Sequence, residues 1–193
     1  MAVIDSTKKE INFKIVYYGP ARSGKTTSIQ QLQTLVESKK KSKVQPHPKT
    51  EKTIFFDFLA LSSQSIGGYK TRFQVYTVPG QILYEDSRKI LLKGVDGIVF
   101  VADSQLDKLE ENLKSLEELK GHLLQMGYSL QELPFVVQYN KRDLPSAPPL
   151  EELRKAINPL LVPDFEAVAT KGQGVLEAFK ECVKQVVLTL KNL

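Results

Sequence analysis

Ile11-Asn12-Phe13-Lys14-Ile15-Val16-Tyr17-Tyr18-Gly19-Pro20-Ala21-Arg22-Ser23-Gly24-Lys25-Thr26 is the stretch whose reading decides the fold. Residues 12–18 read as a strand, which Gly19-Pro20 stops. From Gly19 to Thr26 every fixed position of the pattern G-x-x-x-x-G-K-[ST] is filled. Residues 25–38 then read as a helix, with Ile29, Leu32, Leu35 and Val36 on one face. Strand, glycine-rich turn and helix in this order make a phosphate-binding loop. Successive backbone N–H groups in such a turn point inward and cradle phosphate oxygens. The helix adds its positive dipole end, and the glycines let the backbone approach without a Cβ clash. The expected contacts are Gly19 and the run Ala21-Arg22-Ser23-Gly24-Lys25-Thr26-Thr27. Lys25 supplies a cation to the outer phosphates, and Thr26 a hydroxyl to Mg²⁺. The pattern calls for a nucleoside triphosphate without choosing ATP or GTP.

Outward from this unit, strands and helices alternate. Residues 53–61 and 69–77 are β-rich runs, and the Ser- and Gly-bearing segment 62–68 between them suggests a hairpin. Residues 83–92 read as a helix. Residues 95–102 follow as a strand whose run Ile98-Val99-Phe100-Val101 has the composition of one buried on both faces. Residues 106–126 form a long amphipathic helix, with Leu109, Leu113, Leu116, Leu119 and Leu123 toward the core. Residues 135–140 are another buried strand, 151–156 a short helix, 165–169 the last strand and 174–190 the last helix. The expected fold class is α/β: one P-loop domain over residues 1–193, a mostly parallel sheet with one antiparallel edge hairpin, and helices on both faces. Residues 1–10 are expected to be a short flexible N-terminal extension. Ligands of such sheets bind outside the carboxyl ends of the strands.

Asn140-Lys141-Arg142-Asp143 lies at one of those ends. A carboxylate at the guanine edge can accept from both N1–H and the 2-amino group, a donor pair that adenine lacks. Sites built on such hydrogen bonds reject the wrong partner strongly, because their own polar groups would be left unpaired. Asp143 is therefore the expected guanine reader. Asn140 braces the site and the Lys141 stem lies along the base. Ala169-Thr170, after the last strand, is placed to offer a backbone N–H to the guanine O6. Thr77-Val78-Pro79-Gly80-Gln81 ends the third strand of the series. Small GTPases usually carry Asp-x-x-Gly-Gln here. The Gly80 N–H would contact the γ-phosphate and Gln81 would orient the attacking water.

The runs 11–20, Phe55-Phe56-Asp57-Phe58, 77–81, 94–103 and Asn140-Lys141-Arg142-Asp143-Leu144 resemble the MglA family, bacterial Ras-like GTPases that set cell polarity for gliding and pilus-driven motility. The likeness runs from about Glu10 to the last helix. It implies a Ras-like G domain that binds GTP or GDP with Mg²⁺ and hydrolyses GTP. Thr53 matches the switch threonine that binds the metal, and Asp57 matches a strand aspartate that compensates for Thr77 near it. Gln81 matches the catalytic glutamine. The expected partners are an MglB-like roadblock GTPase-activating protein, which supplies no arginine of its own, and RomR-like polarity effectors.

Two residues depart from the family pattern. Lys52 stands where a built-in arginine finger precedes the switch threonine. It keeps the charge but loses the planar, bidentate fork. Ala21 stands where the loop usually has glycine; the resemblance implies that this position packs against the catalytic glutamine, where a methyl group would obstruct the hydrolysis geometry. The expected activity is a slow intrinsic GTPase with Lys25, Lys52 and Gln81 as its catalytic residues. The alternative is a GTP-bound scaffold of the same family that barely turns its nucleotide over. A P-loop kinase is a third reading, opposed by the guanine motif and by the lack of an arginine-rich lid.

Composition is ordinary for a globular chain, 41% hydrophobic and 25% charged over 193 residues. The formal net charge of +5 owes much to Lys39, Lys40, Lys41 and Lys43, read as a solvated loop and not as a nucleic-acid surface. With Ala2 where myristoylation needs a glycine, and Lys191-Asn192-Leu193 without a cysteine, no lipidation is expected. The expectation is a cytoplasmic protein, monomeric on its own, with no stable membrane anchor and open to recruitment to a cell pole. His47 and His122 read as surface residues. The lone Cys182 reads as a buried thiol, and Glu110, Glu111, Glu117 and Glu118 as a solvated face.

Overall fold

A computed structural model describes residues 2–39, 58–78 and 85–191. Strand β1 is Val3–Asp5 and β2 Glu10–Tyr18, followed by helix α1, Lys25–Lys39. Strands β3, Phe58–Ile66, and β4, Tyr69–Thr77, form the hairpin. Helix α2 is Glu85–Leu92, β5 Gly97–Asp103 and α3 Leu109–Gln125. Strand β6 is Phe135–Asn140, α4 Leu150–Ile157, β7 Asp164–Glu166 and α5 Val175–Lys191.

The sheet runs β3-β4-β2-β5-β6-β7, with β1 added against β2. Every pairing from β4 to β7 is parallel, and β3 runs antiparallel to β4. All residues of β5 and β6 are buried, which is why both read as unbroken apolar runs. One core lies between the sheet and helices α1 and α5, around Phe13, Ile15, Leu32, Phe73 and Phe179. Phe13 and Phe73 stack at 5.2 Å between ring centroids, directly opposite each other in the β2–β4 ladder. The other core lies on the opposite face, around Val16, Tyr18, Leu92, Ile98, Phe100, Leu119 and Leu123. Alternating residues of β2 thus serve both cores, as the period of a strand requires.

Several expectations need correction. Where a flexible extension is expected, Val3–Asp5 forms a strand antiparallel to the start of β2. The connection 62–68 is mostly strand: the turn is Gly67-Gly68 alone, at φ +58° and +84°. Two consecutive left-handed residues make the hairpin turn whose twist matches the flanking strands. Leu113 is 37% exposed, since α3 turns a narrower face to the core than its leucine series suggests. His122 is buried, not a surface residue, and its Nδ1 lies 3.3 Å from the Tyr18 hydroxyl. Glu118 is not merely solvated; it pairs with Arg88 of α2 at 3.2 Å. The loop 44–49, the strand portion 53–57, His47 and the helix start 83–84 lie outside the described residues.

Candidate functional site

The carboxyl ends of β2, β5 and β6 converge on one rim, and the loops leaving them carry most of the candidate residues. Strand β2 gives way at Tyr18 to a loop that needs unusual backbone angles. Gly19 has φ +137°, Arg22 +60° and Gly24 +102°. At Gly19 a Cβ would fall 2.3 Å from the Val101 carbonyl oxygen, and at Gly24 2.1 Å from Asn140 Nδ2. Both glycines are thus fixed by angle and by space. Arg22 holds its left-handed angle without a glycine's freedom, a strain of roughly 1–3 kcal/mol of the kind that gathers at ligand sites.

Lys25 begins α1 and folds back over the loop. Its Nζ donates to the carbonyls of Gly19 at 2.9 Å and Pro20 at 2.6 Å, and the residue is 6% exposed. Burial first, and the positive charge of Arg88 second, push the ammonium pKa down to about 7. Ser23 is fully buried, and its Oγ has no hydrogen-bond partner among the described residues. Thr26, in the first turn of α1, is exposed. A buried cation, an unpaired buried hydroxyl and a loop that excludes Cβ atoms fit a polyphosphate. The exposed Thr26 hydroxyl fits one position of a Mg²⁺ shell.

Asn140 ends β6 and ties this loop to the opposite wall. Its Nδ2 donates to the Ser23 carbonyl at 2.7 Å, and its Oδ1 accepts from the Ala169 N–H at 2.8 Å. Lys141, at φ +66°, donates through Nζ to Asp103 Oδ2 at 2.5 Å. Asp103 is 2% exposed at the end of β5 and also accepts from the Gln105 backbone N–H at 3.2 Å. Asn112 of α3 brackets it, accepting from the Asp103 N–H at 2.9 Å and donating to its carbonyl at 2.8 Å. Asp143 is exposed and faces Lys171 at 3.3 Å. Thr170 is exposed on the short 3₁₀ turn Ala169–Lys171.

The structure therefore brings together Gly19, Ser23, Gly24, Lys25 and the Asn140 motif with Ala169. Lys52, Thr53, Asp57, Gly80 and Gln81 lie outside the described residues. Thr77 is buried at the end of β4. Sequence reasoning passed over Asp103, Asn112, Gln138 and Arg88. Gln138, buried in β6, donates to Ser28 Oγ at 2.9 Å, and that hydroxyl donates to the Gly24 carbonyl at 2.9 Å, so the first turn of α1 is pinned to the sheet. The signal for Asp103 and Gln138 was a polar residue inside an apolar run. Nothing in the spacing marks Arg88.

The ADP-ribosylation factor family model matches residues 1–186. Over 193 residues the chain is 50% identical to the mutual gliding-motility protein MglA of Myxococcus xanthus (strain DK1622), covering 100% of this chain and 99% of that protein. ADP-ribosylation factor-like protein 4C of Homo sapiens, and that of Mus musculus, are 28% identical over 188 residues, covering 93% of this chain and 89% of theirs. Among the described residues no helix is long and apolar enough to cross a membrane. The chain belongs to the ADP-ribosylation factor family, as a guanine-nucleotide-binding small GTPase of the MglA type.

Proposed function

We propose that this GTPase is a Mg²⁺-dependent switch that controls cell polarity or motility, by gliding or type IV pili, through partners that read its nucleotide state. The observation that carries the reading is Asn140. One buried side chain holds the Ser23 carbonyl and the Ala169 N–H, so the phosphate loop and the base wall form a single unit.

In this reading the loop N–H groups from Ala21 to Thr27 and the Lys25 ammonium hold the phosphates. Asp143 accepts from the guanine N1–H and 2-amino group. Its exposed pairing with Lys171 is a weak competitor, since such surface ion pairs contribute ~0–1 kcal/mol. The Ala169 N–H is already given to Asn140, which leaves the Thr170 N–H for the guanine O6. Lys141, fixed by Asp103, keeps its stem along the base. Thr26, Thr53 and Asp57 would hold Mg²⁺, which neutralises charge on the β- and γ-phosphate oxygens. Gly80 and Gln81 would meet the γ-phosphate and the attacking water, with Lys52 as the neutralising cation.

The regulators expected on this reading are an MglB-like roadblock protein and RomR-like effectors, with recruitment of a cytoplasmic monomer to a cell pole. A second reading, a slowly hydrolysing GTP-bound scaffold, is favoured by Lys52 and Ala21 standing together. Single-turnover hydrolysis of bound GTP, with and without the MglB-like protein, separates them. Marked acceleration supports the switch. Stable GTP that the partner does not accelerate supports the scaffold.

A further inference from the structure

Asp103 is the charged residue of β5, at the end of the apolar run Gly97-Ile98-Val99-Phe100-Val101-Ala102, and it is 2% exposed. The ladder between β2 and β5 ends at the Tyr18–Phe100 pair, where β2 leaves the sheet to become the phosphate loop. On its other side β5 stays paired with β6 as far as Asp103 and Asn140. The Ser104 N–H donates to the Asn140 carbonyl at 2.9 Å, toward β6. The Asp103 N–H and carbonyl therefore turn to the side that β2 has left. Buried backbone groups in that position need partners. Asn112 of α3, itself fully buried, supplies both. Its Oδ1 accepts from the Asp103 N–H at 2.9 Å, and its Nδ2 donates to the Asp103 carbonyl at 2.8 Å. One amide side chain stands in for the departed strand.

The backbone held in this way aims a carboxylate at Lys141. Asp103 Oδ2 accepts from Lys141 Nζ at 2.5 Å, while Oδ1 accepts from the Gln105 side-chain amide at 3.1 Å and its backbone N–H at 3.2 Å. Lys141 has φ +66°, an angle that a residue other than glycine keeps only where its surroundings impose it. Its side chain is 27% exposed, so without the carboxylate the ammonium would swing into water. Stability alone is a poor reason for this pair, since apolar residues can replace a buried ion pair at no loss. What apolar residues could not do is order the lysine before a ligand arrives.

We propose that Asp103, clipped in place by Asn112 of α3, is a positioning residue of the nucleotide site: it holds Lys141 ready for the base and so slows nucleotide release. The inference rests on the reading of Asn140 to Asp143 as the guanine-binding motif. A long side chain already ordered in the free protein need not be ordered on binding, which changes affinity roughly two- to tenfold. Within one site such differences appear mostly in the dissociation rate. Helix α3 carries none of the phosphate or base loops, yet through Asn112 it takes part in retaining the nucleotide.

Fluorescent (methylanthraniloyl) GDP is loaded with Mg²⁺ onto the full chain and onto Asp103→Asn, Lys141→Met and the double variant, and its release into excess GDP is timed. Asp103→Asn keeps the shape of the side chain and removes its charge. It is expected to quicken release roughly two- to tenfold, and Lys141→Met at least as much. The double variant is expected to release no faster than Lys141→Met alone, because the carboxylate acts through the lysine. A merely structural Asp103 would give single effects that multiply in the double variant, or no change in Asp103→Asn, and either result overturns the proposal. Unaltered release from Lys141→Met overturns it as well. Should Asp103→Asn fail to fold, Asn112→Ser takes its place in the same cycle, leaving the carboxylate and undoing the clip. Quickened release that adds nothing to Lys141→Met supports the proposal; unaltered release, or effects that multiply, overturn it. No binding of the probe to the unaltered chain would overturn the guanine-nucleotide reading, and the proposal with it.

Discussion

Asn140 and Ser23 stand 117 residues apart in the chain and meet at 2.7 Å, side-chain amide to backbone carbonyl, in the buried floor of the site. The same amide group accepts from the Ala169 N–H. Replacing it by Asn140→Ala leaves two buried backbone groups without partners, each costing about 1–3 kcal/mol. The expected outcome is a loss of ~2–6 kcal/mol in urea unfolding and at least a tenfold loss of GDP affinity. Unchanged values for both would remove Asn140 from the site.

Gly24→Ala tests the same contact from the other side. The added methyl would sit 2.1 Å from Asn140 Nδ2, on a residue at φ +102°. Neither the angle nor the space admits it without shifting the brace. Nucleotide binding is expected to be lost, with a thermal midpoint lowered by several degrees, as roughly 1–3 kcal/mol of backbone strain implies.

Asp143→Asn replaces an acceptor with a mixed amide at the proposed guanine edge. Guanine then loses an acceptor for one of its donors, while xanthine, with a carbonyl in place of the 2-amino group, gains a donor. Competition between the two diphosphates is expected to shift toward xanthine by at least about a hundredfold, in keeping with the penalty for unpaired polar groups. A preference that stays with guanine would move the reader elsewhere.

The thiol of Cys182 is held against Gly97, where even a Cβ would lie 2.9 Å from Sγ. Burial pushes its pKa well above the ordinary thiol range, and the negative charge of Glu181 acts in the same direction. The thiolate is the reactive form, so at pH 8, where an exposed cysteine labels readily, the native chain should be inert. Labelling by a disulfide reagent is expected only at the rate of unfolding. Rapid modification of the folded protein would contradict the burial.

Lys52→Arg restores a planar, bidentate cation before Thr53. If Lys52 serves as the finger, single-turnover GTP hydrolysis should quicken, within the roughly 10³–10⁵ that a complete finger contributes, while GDP affinity stays the same. An unaltered rate in Lys52→Arg, with Ala21→Gly raising it, would assign the slow step to the loop methyl.

The local parts of this protein were legible in its sequence because their causes are local. The Gly19–Thr26 loop follows from residue types at fixed spacing. The buried strands β5 and β6 follow from apolar runs of strand length. The full-length likeness to the M. xanthus protein agrees with a family already suggested by those runs. What only the tertiary structure decided were matters of pairing across the chain. Strand β1 owes its place to open hydrogen-bonding groups on β2, which its own short sequence does not announce. His122 and Glu118 have the polarity of surface residues on an amphipathic helix, yet partners on β2 and α2 draw them inward. Arg88 looks like any helical arginine until packing removes its water. Desolvation and charge pairing depend on which groups the fold brings within a few ångströms, and one-dimensional spacing does not contain that distance.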